Sequence, residues 1–186
     1  MISDTKVVAI GGGTGLSTML KGLKLHTHNI TAVVTVADDG GSSGILRSDL
    51  GMLAPGDVRN CVSALAEVDP VMGELLNFRF KDGSLKGHSL GNLFLAALNE
   101  TSSSFDEAVK KFSHLAGVVG TVYPVTNESV TLSALLEDGR LIEGESHIGV
   151  HHDGPKNGIV KLMVNPEKPK AVDGVIKALE KADIIV

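Results

Sequence analysis

A glycine-rich turn stands between a predicted buried strand and a predicted helix near the start of the chain. Residues 6–10 read Lys-Val-Val-Ala-Ile, and Gly-Gly-Gly-Thr-Gly follows at 11–15. Because glycine has no Cβ, backbone N–H groups in such a turn can approach an anion closely, and the following helix N-terminus adds partial positive charge. The pattern predicts a strand, a phosphate-binding turn and a helix, although a plain tight turn stays open as the alternative.

Two familiar nucleotide-binding motifs do not fit this turn. A Walker A loop needs Lys and then Ser or Thr after its last glycine, whereas Leu16 and Ser17 follow Gly15. The dinucleotide fingerprint G-x-G-x-x-G also fails, because its third glycine would fall on Leu16 or on Thr18. The turn therefore argues against a P-loop NTPase and against a standard dinucleotide-binding protein.

Length and composition narrow the class of protein further. The 186 residues are 42% apolar, which suits one α/β domain with a substantial core. A net charge of −5 and an aromatic content of 3% argue against a general nucleic-acid-binding surface. Without a long apolar run or a signal peptide, we expect a cytoplasmic protein with no membrane span. Cys61 is the single cysteine, in an apolar helical pattern, and is expected to be buried.

Short β-branched runs alternate with helical periodicity through the N-terminal half. This alternation predicts a Rossmann-like, three-layer α/β fold with a mostly parallel sheet covered by helices. The predicted strands are residues 6–10 and 30–36. The predicted helices are residues 16–25, 57–67 (after a long polar loop), 71–80, 90–100 and 105–115.

The C-terminal half carries a different pattern. Apolar alternation at 130–136 and 141–146, joined by a turn containing Asp138-Gly139, predicts a β-hairpin. A strand at 159–164, a helix at 171–181 and a last strand at 184–186 follow. We therefore predict one domain over 1–186 with a β-hairpin insertion at about 121–165. A chain ending on such a strand is expected to be truncated at its C-terminus, because a parallel strand normally leads into a functional loop.

The second chemical stretch follows the second predicted strand, at the edge of the sheet where α/β proteins bind ligands. Asp38 could accept a ribose hydroxyl, or Asp38 and Asp39 could together hold Mg²⁺. Ser42 and Ser43, with the neighbouring glycines, offer donors to an anion, and Arg47 can pair with a phosphate. A solvated Asp/Gly/Ser loop is the competing interpretation.

Two further stretches stand at predicted helix N-termini. At 54–60, Asp57 can cap a helix, and Arg59 is unfavourable for the helix dipole unless an anion lies nearby. At 86–94, Ser89 can cap a helix, and a glycine at 91 inside that helix predicts a close approach to its backbone. Asn60, His88 and Asn92 are candidate ligand contacts, and the alternative for each is a structural role.

A group of histidines late in the chain suggests metal binding at first sight. His147 and His151 are four residues apart, and His152 and Asp153 follow. They lie in a predicted loop, where this spacing does not align two side chains, so we predict a solvated loop and no metal site. The sequence shows no nucleophile with an identifiable base partner.

The four stretches, in this order, resemble the YvcK-like family, often called gluconeogenesis factors, within the CofD-like superfamily. The matching segments are 10–17, 36–47, 55–60 and 87–93. The resemblance covers the whole chain, more loosely after Gly120. Members of the family continue past the strand at 184–186 into another glycine-rich loop and further helices.

The resemblance implies a Rossmann-like fold that binds a UDP-sugar such as UDP-N-acetylglucosamine. It implies a regulator linked to gluconeogenic growth, cell shape and cell-wall synthesis, with a homodimer and wall-synthesis proteins as possible partners. The alternative is a CofD-like, Mg²⁺-dependent phospholactyl transferase with a nucleoside-diphosphate-linked donor. The residues that the resemblance assigns to nucleotide binding are Gly12, Gly13, Thr14, Gly15, Asp38, Asp39, Ser42, Ser43, Arg47, Asn60, His88 and Asn92.

Overall fold

The structure is a computed structural model that describes residues 4–150 and 157–186, without the side chain of Val150. The strands of this described part are β1 Val7–Gly11, β2 Ile30–Val34, β3 Thr121–Pro124, β4 Thr131–Leu136, β5 Leu141–Glu143, β6 Ile159–Asn165 and β7 Ile184–Ile185. The helices are α1 Thr14–Leu23, α2 Gly41–Leu50, α3 Pro55–Leu65, α4 Pro70–Asn77, α5 Leu90–Glu100, α6 Phe105–Leu115, α7 Glu145–Val150 and α8 Asp173–Glu180.

The main sheet has four strands in the order β3-β2-β1-β7, and every described pairing in it is parallel. From β1, the strands β2 and β3 are therefore added one after the other on one side, and β7 pairs with β1 on its other side. This is the strand order of a Rossmann-type half, in which the order reverses beside β1. In such sheets ligands bind outside the carboxyl ends of the strands at that reversal, which is where the glycine-rich turn lies.

Helices cover both faces of the main sheet, as the predicted three-layer fold requires. Alternating side chains of β1 and β2 point to opposite faces. Ala9 and Val34 belong to the large core shared with α1, α3, α5 and α6. Val8 and Val33 belong to a smaller core on the other face, against Val175 of α8. The α/β class and the mostly parallel sheet are confirmed.

A second, antiparallel sheet of three strands, in the order β5-β4-β6, forms the insertion. Its β4-β5 hairpin turns at Asp138 and Gly139, with Gly139 at φ +85°, a backbone conformation that favours glycine. Residues 121–124, which we expected in the insertion, instead form β3 beside β2 of the main sheet. The insertion therefore begins with β4 and contains β6 in addition to the hairpin.

Two sequence-based assignments differ from the structure. The polar loop expected before Pro55 contains the helix α2, although glycine and serine are poor helix formers. The strand expected at 141–146 ends at Glu143, because Gly144 turns the backbone at φ +95° and α7 begins at Glu145. Each of these two helices brings its N-terminus to the carboxyl edge of the main sheet, as the contacts below show.

One expectation from the sequence, the burial of Cys61, is met in the described residues. Cys61 is fully buried, and burial raises the pKa of its thiol to about 12. Within residues 4–150 and 157–186, none of the helices has the length and apolar character needed to cross a membrane.

Candidate functional site

Helices α1, α2 and α3 begin at the carboxyl edge of the main sheet, in addition to α7. Gly13 precedes α1 and Gly40 precedes α2; neither provides a side-chain cap, and neither helix has an acidic residue in its first turn. The N-terminus of α3 lies against that of α2, because the N–H of Gly56 donates to Oγ of Ser43 at 3.2 Å. The free N–H groups of α1 and α2 therefore leave their partial positive charge available at this edge.

The carboxylate of Asp57, in the first turn of α3, lies against the glycine-rich turn. A Cβ built on Gly13 would fall 2.1 Å from Oδ1 of Asp57, and a Cβ built on Gly12 would fall 3.4 Å from Oδ2. The N–H of Gly13 and the side chain of Thr35 stabilise the charged carboxylate. The expected cap role of Asp57 is wrong, because the N-cap residue of α3 is Ala54 and no side chain caps this helix. The carboxylate of Asp57 instead contacts the glycine-rich turn that precedes α1.

Asp57 lies among three other acidic side chains, and together Asp38, Asp39, Asp57 and Glu145 are called the acidic cluster below. Burial, followed by repulsion from Asp38, raises the pKa of Asp57 above its ordinary value. Burial, followed by repulsion from Asp38, Asp57 and Asp39, raises the pKa of Glu145. The partial positive charges of the helix N-termini and the negative charges of the acidic cluster therefore lie at the same edge of the main sheet.

Asp38 and Asp39 have different partners. Oδ1 of Asp38 accepts the N–H of Gly40 at 3.0 Å, which shapes the approach to α2. Oδ1 of Asp39 accepts the N–H of Ser146 at 2.8 Å, which fastens the first turn of α7 to the main domain. Burial alone would raise the pKa of Asp39, but its hydrogen bonds with Ser146 and the charge of Arg47 lower it below its ordinary value.

A buried polar network joins α2, α3 and α5. Oγ of Ser42 lies 3.0 Å from Nδ1 of His88 and accepts Nδ2 of Asn92 at 3.0 Å. Because the Ser42 hydroxyl has two lone pairs and one hydrogen, it can accept from Asn92 and either donate to or accept from Nδ1 of His88, depending on the tautomer of the ring. Ser89 caps α5 as expected, its Oγ accepting the N–H of Asn92.

Arg59 extends this network away from the sheet edge. Its Nε donates to Oδ1 of Asn92 at 3.3 Å, and one terminal nitrogen donates to Oδ1 of Asn77 at 2.8 Å. Burial, followed by repulsion from Arg79, lowers the pKa of Arg59. The ion pairs of the described residues do not include Arg59. Arg59 therefore holds Asn92 in place as a buried cation with amide partners.

Arg47 braces the loop between β2 and α2. One terminal nitrogen donates to the carbonyl oxygens of Ala37 and Asp38 at 3.0 and 3.1 Å. The other donates to the carbonyl oxygen of Val130 at 2.8 Å, just before β4. These bonds direct Arg47 toward backbone carbonyls and tie the insertion to the main domain. A direct contact between Arg47 and a phosphate stays a prediction.

The structure brings most of the predicted residues together. Thr14 and Gly15 are exposed at the start of α1, and a Cβ on Gly15 would meet open space. Nδ2 of Asn60 lies 3.0 Å from the position of a Cβ on Gly13. Around them lie Gly12, Asp38, Ser42, Ser43, His88 and Asn92. Their roles in ligand binding stay predictions.

Sequence reasoning missed three contributors to this edge: Thr35, the carboxylate of Asp57 as a partner of the turn, and Glu145. Thr35 directly follows β2 and offered a signal, because side chains at that position face the ligand edge. Glu145 offered none, since only the fold of the insertion brings it near the aspartates.

The histidine group lies partly within the described residues, where His147 is in helix α7 and not in the loop predicted for it, because α7 begins at Glu145 directly after the turn at Gly144. Nδ1 of His147 lies 2.8 Å from the carbonyl oxygen of Glu143, within its own segment. His151, His152 and Asp153 lie outside the described residues. Within the described part of the chain, no three His, Cys, Asp or Glu side chains are grouped so as to hold a metal ion.

Several cavities of the described structure lie away from this edge, among them two beside lysine side chains. One of about 280 Å³ lies at the amino ends of the strands, next to Lys6, Asn29 and Thr121. Another of about 400 Å³ lies beside α8, next to Lys110 and Lys170. Neither contains a motif that the sequence singled out, so we assign the candidate site from the converging helix ends and not from cavity size.

Fold and site together define a Rossmann-like α/β protein with a glycine-rich turn and two uncapped helix N-termini at the ligand edge. The chain belongs to the CofD family: the family model described as 2-phospho-L-lactate transferase CofD matches residues 7–186. The resemblance inferred from the four motifs is therefore confirmed at the level of the family.

Curated relatives carry the name gluconeogenesis factor. The chain is 52% identical over 186 residues to a putative gluconeogenesis factor of Clostridium acetobutylicum, covering all of this chain and 41% of the relative. It is 55% identical over 185 residues to one of Thermoanaerobacterium thermosulfurigenes, covering all of this chain and 57% of the relative. The gluconeogenesis factor of Bacillus subtilis is 45% identical over 184 residues, covering 97% of this chain and 56% of the relative.

A solved structure supports the fold. A member of the UPF0052 family from Bacillus halodurans superposes with a TM-score of 0.92 at 42% identity, covering all of this chain and 58% of that chain. The chain thus spans about half the length of the relatives that it matches.

Proposed function

We propose that this chain contributes the nucleotide-sugar site of a regulatory protein and binds a UDP-sugar such as UDP-N-acetylglucosamine. The observation that carries the proposal is that the N-termini of α1 and α2, neither with a side-chain cap, both lie against the N-terminus of α3, where Asp57 contacts Gly13 and Gly56 donates to Ser43. Uncapped N–H groups at helix starts are favourable partners for a diphosphate. The gluconeogenesis factors among its relatives make a regulator the favoured class.

The start of α1 offers the more accessible of these groups. Thr14 and Gly15 are exposed, and no atom lies within 4 Å of a Cβ built on Gly15. A phosphate can therefore approach the backbone of Thr14 and Gly15 without moving protein atoms, whereas Gly13 is in contact with the carboxylate of Asp57. Asn60 and His88 would supply hydrogen bonds to the sugar or base, and Asp38 would accept a hydrogen bond from a ribose hydroxyl.

A CofD-like transferase is the second candidate, favoured by the description of the matching family model. Such an enzyme would use a nucleoside-diphosphate-linked phospholactyl donor with Mg²⁺, which Asp38 or Asp39 would hold. Asp39 is the weaker candidate for holding Mg²⁺, because its carboxylate already accepts a hydrogen bond from Ser146 of α7. Asp38, which lies beside Asp57, is the better candidate of the two.

The test uses two Gly→Ala substitutions within α1. Gly15→Ala and Gly22→Ala both place a methyl group in open space, and each should raise helix stability by about 0.5–1 kcal/mol. Only the methyl group at position 15 would stand between the helix start and a phosphate. We therefore expect Gly15→Ala to weaken UDP-N-acetylglucosamine binding in calorimetry, while Gly22→Ala binds like the wild type.

The outcomes separate the candidates. No heat and no thermal shift with any uridine nucleotide would overturn the nucleotide-sugar proposal. Binding of a guanosine diphosphate compound, with turnover of a flavin-like acceptor and Mg²⁺, would favour the transferase. Equal weakening by Gly15→Ala and Gly22→Ala would place the ligand away from the start of α1.

The wider role is part of the same proposal. We propose a cytoplasmic regulator linked to gluconeogenic growth, cell shape and cell-wall synthesis, with a homodimer and wall-synthesis proteins as partners. A pull-down with the full-length protein, with and without UDP-N-acetylglucosamine, tests whether such partners bind in a ligand-dependent manner.

A further inference from the structure

The glycine-rich turn already has an anionic neighbour within the chain. The two carboxylate oxygens of Asp57 lie beside Gly12 and Gly13, and the N–H of Gly13 stabilises their charge. The N–H of Gly13 is one of the backbone groups that the sequence pattern offers to a phosphate. The turn is therefore occupied by a side chain of α3 in the described structure.

The fit between Asp57 and the turn is close enough to exclude a second anion from the same place. Oδ1 lies only 2.1 Å from the position that a Cβ of Gly13 would take, so the carboxylate fills the space that the missing side chain leaves. Nδ2 of Asn60 lies 3.0 Å from the same position. A phosphate oxygen next to Gly13 would overlap with the carboxylate and be repelled by its charge.

We infer that Asp57 is a built-in competitor of the ligand: its carboxylate must withdraw from Gly13 before a diphosphate can contact the N–H of that residue. The inference rests on the proposed function for the identity of the diphosphate, but the displacement can be measured with any small anion. Asp57 thereby sets the affinity of the site and links ligand binding to a rotation of its side chain at the start of α3.

Substitutions at Asp57 test the competition in the full chain. Asp57→Asn keeps the size and the acceptor oxygen but removes the charge, and Asp57→Ala removes the occupant. We expect Asp57→Asn to bind UDP-N-acetylglucosamine about tenfold more tightly than the wild type without divalent cations, because one repulsive charge is gone. Asp57→Ala should bind at least as tightly. Asp49→Asn, on the exposed side of α2, makes the same charge change and should bind like the wild type.

A second measurement keeps the inference separate from the nucleotide-sugar proposal. Sulfate is titrated into ¹⁵N-labelled protein, and the amide signals of Gly13 and Thr14 are followed by NMR. We expect the Gly13 signal to respond at lower sulfate concentration in Asp57→Asn than in the wild type or Asp49→Asn. This result would support the competition even if no uridine nucleotide binds, in which case only the proposed function fails.

Two results would overturn the inference. One is a folded Asp57→Asn protein, with a melting temperature at or above that of the wild type, that binds both anions no more tightly than the wild type. The other is a Gly13 amide that sulfate leaves unmoved in every variant, which would show that the turn accepts no anion.

Discussion

The carboxylate of Asp57 and the backbone of Gly13 share one space, with Oδ1 lying 2.1 Å from where a Cβ of Gly13 would stand. The two residues are far apart in sequence, and the contact joins the start of α3 to the turn before α1. Glycine at position 13 is thus required by a side chain of the protein itself. This differs from the usual explanation of a glycine-rich turn, in which only a bound ligand needs the space.

The first prediction concerns this contact. Gly13→Ala should lower the free energy of unfolding by about 1–3 kcal/mol, because the new methyl group forces Asp57 out of its place. Asp57→Ala in the same chain should restore most of the loss, since it removes the clashing group. Urea unfolding of the wild type, both single variants and the double variant gives the coupling between the two positions.

The matched control for the first prediction is Gly15→Ala, in the same turn but facing open space. It should leave the protein as stable as the wild type or more so. Additive effects of Gly13→Ala and Asp57→Ala would contradict the contact, because residues that do not touch show little coupling.

The second prediction concerns the glycine inside α5. A Cβ on Gly91 would fall 2.5 Å from the carbonyl oxygen of Leu76 and 2.9 Å from Cγ and Cδ of Arg59. The carbonyl oxygen of Leu76 belongs to the backbone and cannot move aside easily to accommodate a methyl group on Gly91. Gly91→Ala should therefore destabilise the protein by more than about 1 kcal/mol, despite the higher helix propensity of alanine. Gly73→Ala in α4 meets only Val68 at 3.9 Å, and should be neutral or stabilising in the same thermal unfolding measurement.

Gly91 also shows what the sequence alone could predict. A glycine inside a helix costs helix stability relative to alanine, so the sequence indicates that another part of the protein packs closely against the backbone at this position. The structure confirms this close packing. The sequence could not tell that the neighbours are Arg59 and Leu76, because helical periodicity locates a residue on a helix but does not say which other helix packs against it. Local sequence pattern predicted the parallel sheet and most helices, because these depend on residues close together in the chain. It could not predict the packing between helices, because that depends on residues far apart in the chain.

Helix α2 is the clearest case that local pattern could not predict. Gly41, Ser42, Ser43 and Gly44 have low helix propensity, and the sequence accordingly indicates a loop. In the structure Ser42 and Ser43 are buried with hydrogen-bond partners on α3 and α5. Contacts between distant segments therefore outweigh propensity here, and only three-dimensional structure reveals them.

The third prediction concerns Arg47. Arg47→Met keeps much of the side-chain volume but leaves the carbonyl oxygens of Ala37, Asp38 and Val130 without their donor. We expect a loss of about 2–3 kcal/mol in chemical unfolding. Arg140→Met removes an arginine whose ion pair with Asp138 is largely exposed, and should cost far less. Equal effects of the two substitutions would contradict the bracing role of Arg47.

The fourth prediction concerns pH. The pKa of Asp57 is raised by burial and by Asp38, so the folded chain holds this proton more tightly than the unfolded chain. Its contribution to stability is therefore present below the ordinary pKa of 3.8 and is lost as pH rises through the raised value. Asp57→Asn should be more stable than the wild type at neutral pH, and the difference should shrink toward acid. Asp49→Asn should show no such trend in thermal unfolding between pH 4 and about pH 8.

The last prediction concerns Cys61, which is fully buried in α3 with a thiol pKa of about 12. At pH 8 the folded protein therefore contains almost no thiolate, whereas an unfolded chain contains a substantial fraction, since a free cysteine has a pKa of about 8.5. Alkylation by iodoacetamide at pH 8 should be slow in the folded state and should accelerate in urea along the unfolding transition. Gly13→Ala should speed alkylation in buffer by the factor by which its loss of stability raises the equilibrium population of opened molecules, about tenfold for each 1.4 kcal/mol, because the reagent reaches Cys61 only in those molecules. Rapid alkylation of the fully stable wild type would contradict this, because it would require a reactive thiol at the surface of α3.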